Sequence, residues 1–243
     1  MEKQKYLTPS GLTFVLREQT GADDDVINGA MDEATMVNTY LANVIEEGPD
    51  GKRMDAEGVK KLRLGDKYFL VLASRILSLG PTLWFKYTWR EDQPPVEYQE
   101  DLNRYIWDYT KPFPKFGDPD YFDQRIPPYP EGDFISVEIG GHKLRMDYVD
   151  GYGEAYMLGL PANKRTVNQE LIARNFRIFK DGEWKRVVNF GSFSAKAMVQ
   201  IRNLVHDFDP PNEGLMTLTN PETLEIIKVP ILGVKDFFFP VKI

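Results

Sequence analysis

The chain has no cysteine, which excludes disulfides, thiolate metal sites and a cysteine nucleophile together. It has only two histidines, His142 and His206, and neither stands in an HExxH or HxH context, so a metal site would need carboxylates alone. The longest apolar run, Tyr68 to Ala73, falls far short of the roughly 20 residues of a membrane-spanning helix. Basic residues are the minority, 30 against 37 acids, and the net charge of −7 argues against nucleic acid as the partner. The phosphate-loop pattern GxxxxGKS/T, the dinucleotide pattern GxGxxG and the serine elbow GxSxG are all missing. The opening MEKQKYLTPSG carries no apolar stretch behind its lysines, so no secretory signal is expected and the chain reads as soluble, in a cytoplasm-like compartment. What is present is core material: 42% of the 243 residues are hydrophobic, enough for one large domain or two compact halves.

Periodicity then sets the elements. Leu12, Phe14 and Leu16 alternate on one face of GLTFVLR, which predicts a strand. Asp23, Asp24 and Asp25 open a helix whose apolar positions continue through Ala30 and Val37 to Ile45. Their carboxylates suit the positive end of the helix dipole, and the DxDxDG spacing of a calcium loop is missing. A second helix is expected from Asp66 to Leu79, stopped by Gly80-Pro81. TLWFKYT and VEYQEDL predict a long-looped hairpin. FISVEI and HKLRMDYV predict a tight one around Gly140-Gly141, a pair that supplies the positive φ of a two-residue turn. GYGEAYMLGL and VNQELIARNF read as helices, and a small hairpin turns at Asp181-Gly182. Ser194 caps a helix striped by Met198, Ile201, Val205 and Phe208, and LMTLT with TLEIIKV makes the last hairpin.

The order of these elements recurs. Phe14, Leu16 and Gly21 fall on Leu144, Met146 and Gly151, the caps Asp66 and Ser194 stand at a similar offset, and so do the hairpins at Thr82 and Leu215. An internal duplication explains this, and so does chance, since strand-helix-hairpin order is common. The fold class predicted is α+β: two similar halves, residues 1–110 and 131–243, each packing helices on short antiparallel hairpins. Residues 111–130, rich in proline and aromatics, read as a linker or wrapping loop.

Candidate chemistry is sparse. Ser192, Ser194, His206 and Asp207 spell a serine, histidine and acid set on paper, but GSFSA at a helix start reads as capping. Asp118, Asp120 and Asp123 come nearest to a hard-cation set and read as turn residues in a proline-rich loop. No catalytic residue, cofactor or small-molecule substrate is expected. The feature left over is the end of the sequence, KDFFFPVKI, where Phe237, Phe238 and Phe239 must pack on the chain's own core or on a partner. Three consecutive rings point in at least two directions, so one is expected to remain for a partner.

Three segments carry a family resemblance: LTFVLREQTGADDDVI, LRLGDKYFLVLASRILSLG and the closing FFFP. In them the chain resembles the T-even phage baseplate and hub assembly proteins and their relatives in contractile-tailed phages. In those relatives the middle helix is followed by a hairpin whose tip often carries CxxC, and a second such tip precedes the C-terminal phenylalanines. Here the tips read TWREDQPP and LTNPET, so the zinc-knuckle role that the family would imply is lost. The resemblance implies a non-enzymatic tail protein, either a baseplate constituent or a hub assembly factor. Its partners would be other baseplate or tail proteins, met in the host cytoplasm during assembly or in the virion tail. A host-factor-binding module and a carboxylate hydrolase are the alternatives.

Overall fold

The chain enters as a hairpin, β1 (Lys3–Leu7) against β2 (Thr13–Arg17), with Tyr6 opposite Phe14. Two helices follow, α1 (Gly21–Ile27) and α2 (Glu33–Val44), and then β3 (Ile45–Glu47) returns to pair antiparallel with β2. After α3 (Ala56–Lys60) comes α4 (Leu64–Leu79), ended by Gly80 at φ +79, and the hairpin of β4 (Thr82–Tyr87) and β5 (Val96–Asp101). The second half runs β6 (Phe134–Ile139), β7 (His142–Asp147), α5 (Gly151–Leu158), α6 (Val167–Ala173), β8 (Arg177–Lys180) and β9 (Glu183–Arg186). It closes with α7 (Ala195–Phe208) and the hairpin of β10 (Leu215–Thr219) and β11 (Ile226–Pro230). This computed structural model describes residues 1–29, 32–209, 214–232 and 237–239. The fold is α+β, and every sheet in it is antiparallel.

One strand connection occurs in two of the sheets. In the sheet β1-β2-β3, the second strand of a hairpin receives the strand that follows two helices; β7 receives β8 after α5 and α6 in the same way, in the sheet β6-β7-β8-β9. In each half a longer helix, α4 or α7, then leads to a further hairpin.

The compact units do not follow the halves. One comprises Met1–Ala56, Gly65–Pro128 and Asn212–Ile243; the other comprises Glu57–Leu64 and Tyr129–Pro211. The boundaries read from sequence, 1–110 and 131–243, are corrected accordingly: α3 joins the second unit, and the final hairpin and C-terminus join the first. Residues 111–130 are not a free linker either, because Tyr109 and Phe113 stack on each other and Tyr109 meets Phe69 of α4 edge-on at 5.5 Å. Its hydroxyl also donates to the carbonyl of Ile126 at 2.6 Å, closing the segment over that ring. Composition marks such a stretch as irregular without showing that its rings have a core to cover.

The first unit is organised on α4. Gly65 to Arg75 are buried without a break, so this helix is surrounded and has no solvent face over three turns. Phe14 and Leu16 of β2, Tyr40 and Leu41 of α2, Phe85 of β4 and Met216 of β10 supply further buried core of this unit. In the second unit Leu144, Met146, Leu171, Phe176, Phe190, Ile201 and Leu204 form one cluster.

Two helix readings are also corrected. The helix expected from Asp23 through Ile45 is two helices, since α1 ends at Asn28-Gly29 and α2 restarts from Asp32, whose side chain accepts from the Thr35 amide at 3.0 Å; Ala30 lies outside the described residues. The helix expected from Asp66 begins at Leu64, and buried Asp66 instead accepts from the Ser10 amide at 3.0 Å, pinning the β1–β2 turn. Ser194 is the N-cap expected, accepting from Ala197 at 3.2 Å. No helix among the described residues is long and apolar enough to cross a membrane.

Candidate functional site

The phenylalanines singled out in the sequence occupy a built site in the first unit. Phe237 is fully buried and Phe238 nearly so, at 8%, while Phe239 is half-buried. The Phe237 and Phe238 rings meet edge-on at 4.8 Å, and Phe238 meets Tyr40 of α2 in the same way at 5.1 Å. Two of the three rings are therefore core, and Phe239 is the ring left over for the expected partner contact.

The backbone of this segment is held by Arg75. Its Nε donates to the Phe237 carbonyl at 2.6 Å, and its terminal nitrogens donate to the carbonyls of Gly80 at 2.7 Å and Thr82 at 3.4 Å. Arg75 is completely buried, and among the described residues its partners are carbonyls rather than a carboxylate. Its guanidinium reaches the Gly80 carbonyl just past the end of α4, where the C-terminal carbonyls carry partial negative charge that favours a cation. Burial still penalises the cation, and its pKa is pushed down to about 10.

Around this clamp lies a polar seam. The Tyr40 and Ser74 hydroxyls are 3.0 Å apart, Ser74 donates to the Val71 carbonyl, and the Ser78 hydroxyl accepts from the Gln19 amide at 2.8 Å. Desolvation pushes the Tyr40 phenol well above its ordinary value, so it stays neutral. Beyond Gln19 stands the buried pair of Arg17 and Asp23, joined at 2.8 and 3.0 Å. Burial alone would raise the Asp23 carboxyl; the bonds from Arg17 and from the Thr20 amide and hydroxyl outweigh it and hold the pKa below the ordinary carboxylate value. Asp23 is thus more than a helix-start carboxylate. The sequence signals for both buried ions were slight: one arginine inside the apolar run LASRILSL, and one arginine ending a strand.

A second feature of the unit is a cleft of about 490 Å³ lined by Gln4 to Leu7 of β1, Phe69, Asn103, Ile106 to Thr110 and Arg125. Its walls are aromatic and basic, with the Arg125 guanidinium 4.8 Å from the Trp107 ring centre. Elsewhere in the unit Phe116, 90% exposed, meets Tyr121 edge-on at 5.6 Å. The β10–β11 tip presents another apolar residue, Leu224, 72% exposed and held at φ +60. Asn220 fixes that tip by accepting from the amides of Glu222 and Thr223 at 2.8 and 3.1 Å.

The polar candidates do not converge. Ser194 and His206 lie on α7 twelve residues apart, about 18 Å at 1.5 Å per residue, and the Ser194 oxygen is engaged in its cap. The His142 ring rests edge-on against Phe193 at 5.6 Å. Asp118 accepts from the Lys115 amide at 2.7 Å, a turn contact. Among the described residues no three His, Asp or Glu side chains are grouped so that they could hold a metal ion. No protein-family model, no curated protein and no solved structure matches the chain.

Proposed function

We propose that this chain is a bacteriophage tail protein that works by protein–protein contact, as a constituent of the baseplate or as a factor in assembling its hub. One observation carries the reading. Residues of the three segments in which the sequence resembles the T-even baseplate and hub assembly proteins meet in one buried arrangement, closed by Arg75 on the carbonyl of Phe237. Arg17 and Asp23 belong to the first segment, Arg75 to the second and Phe237 to the third. Motifs scattered over more than 200 residues that meet in one core are motifs under one structural constraint. The exposed apolar side chains at loop tips, Phe116 and Leu224, and the half-buried Phe239 support contact with other proteins. The expected partners are other tail or baseplate proteins, met in the host cytoplasm during assembly.

The test is genetic. Placing stop codons early in the gene, in the phage that carries it, is expected to leave filled heads without complete tails, with activity restored by the gene supplied in trans. Normal tails and normal plaque yield from the stop-codon phage would overturn the reading.

A further inference from the structure

The register of the first hairpin leaves one row of backbone groups without a strand partner. Thr8 donates to the Leu12 carbonyl at 2.9 Å, and Glu18 donates to the Glu2 carbonyl at 3.1 Å. In an antiparallel ladder these brackets make the even positions of β1 the hydrogen-bonded pairs with β2, Gln4 with Leu16 and Tyr6 with Phe14. The odd positions, Lys3, Lys5 and Leu7, therefore turn their N–H and C=O groups away from β2. β1 is the edge of its sheet, so no strand among the described residues takes them. Gln4 through Leu7, residues of both parities of the strand, line the 490 Å³ cleft. Lys5 and Leu7 are two residues apart, about 6.8 Å, which is the spacing at which a neighbouring strand repeats its bonds.

The cleft also states its preference in charge. Asp108, the acid in its lining, is engaged by the Thr110 hydroxyl and lies 3.4 Å from Lys111. Lys3 of the strand is paired with Glu46 at 3.0 Å, Lys5 forms no ion pair among the described residues, and Arg125 stands over the Trp107 ring while donating to the Asp120 carbonyl. Exposed lysines on an edge strand discourage pairing with a second copy, because antiparallel self-pairing about Lys5 sets Lys5 opposite Lys5. Lys5 favours an acidic strand, and Trp107, Tyr109 and Phe69 offer it apolar walls.

We propose that the free edge of β1 is a strand-addition site, which takes an extended acidic segment of another protein as an additional strand. Backbone bonds to Lys5 and Leu7 provide register, carboxylates face Lys5 and Arg125, and alternate apolar side chains enter the aromatic cleft. This does not depend on the tail-assembly reading.

The test is amide hydrogen exchange on the full chain, with a blocked peptide of alternating glutamate and valine, about eight residues long. A matching lysine and valine peptide is the control. The acidic peptide is expected to slow exchange at Lys5 and Leu7, to bind more weakly as salt rises, and to outbind the basic peptide by about tenfold or more. Lys5→Glu should lose about as much, while Lys5→Pro should abolish binding with the fold intact, because proline is tolerated where an edge N–H points outward. Equal binding of the two peptides overturns the proposal, as does protection mapped elsewhere. Concentration-dependent protection of Lys5 and Leu7 without peptide would assign the edge to a second copy and overturn it equally. Exchange on the wild-type chain decides the matter even if Lys5→Pro does not fold.

Discussion

Arg75 on α4 and Phe237 near the C-terminus lie 162 residues apart in sequence and share a buried hydrogen bond of 2.6 Å, guanidinium to carbonyl. The bond explains how Phe237 to Phe239, which belong to no strand or helix, are held. Arg75→Met keeps the apolar stem but leaves the carbonyls of Phe237, Gly80 and Thr82 without their donor, with an expected loss of about 3 to 5 kcal/mol. Urea unfolding measures it. Carboxypeptidase trimming adds a second reading, because release of the tail should speed digestion through Phe239 to Phe237.

The three phenylalanines should separate in alanine substitution. Phe237→Ala and Phe238→Ala remove buried rings and should each cost about 3 to 5 kcal/mol. Phe239→Ala should shift the melt by well under half of that, and it is the substitution expected to lower tail assembly while leaving the fold intact. Equal thermal shifts for all three would place Phe239 in the core as well.

Gly214 is buried at φ +50, immediately before β10, and a Cβ there would run into the Tyr68 hydroxyl of α4. Gly214→Ala is expected to destabilise by about 2 kcal/mol or more, through the left-handed backbone and the displaced ring together. At Leu224 the expectation has the opposite sign. That residue is held at φ +60 and is 72% exposed, so Leu224→Gly relieves strain without uncovering a core and should stabilise by about 1 kcal/mol. Thermal melts of the two variants check both signs.

Asp23 and Asp209 should impose opposite pH dependences. The Asp23 carboxyl is held below its ordinary value, so its contribution is present above that value and is lost as pH falls through the depressed one. Desolvation raises Asp209, despite Arg174 at 3.2 Å and the Val149 amide at 3.1 Å, so its contribution is present below the ordinary value and is lost as pH rises through the raised one. Relative to wild type, Asp23→Asn should flatten the loss of stability on acidification, and Asp209→Asn should steepen it. Urea midpoints between about pH 2 and 7 test both.

The hairpins were legible because their turns are local chemistry: Gly140-Gly141 and Asp181-Gly182 permit a turn that few other pairs do, and Gly80 stops α4 for the same reason. The break after α1 was hidden because Asn28-Gly29 interrupts an apolar pattern whose period survives on both sides of it. Arg75 could be noticed in its apolar run, but its partner could not, since nothing within five residues of Phe237 marks its carbonyl for a distant guanidinium. The interleaved units were illegible for a related reason: a recurring order of elements shows which pieces are alike, whereas the assignment of α3, the last hairpin and the tail depends on which core each buries. The aromatic rings of residues 105–128 are apolar enough to be core and irregular enough to be loop, and only the position of Phe69 decides between them.

The proposed role requires that this chain act within a tail. Mass spectrometry of gradient-purified phage particles and of the tail intermediates in the same lysate tests it most directly. The proposed role puts the chain in the particles at fixed stoichiometry to baseplate proteins if it is a constituent, or in the intermediates alone if it is an assembly factor. Its absence from both, in a lysate where it is abundant, would overturn that role.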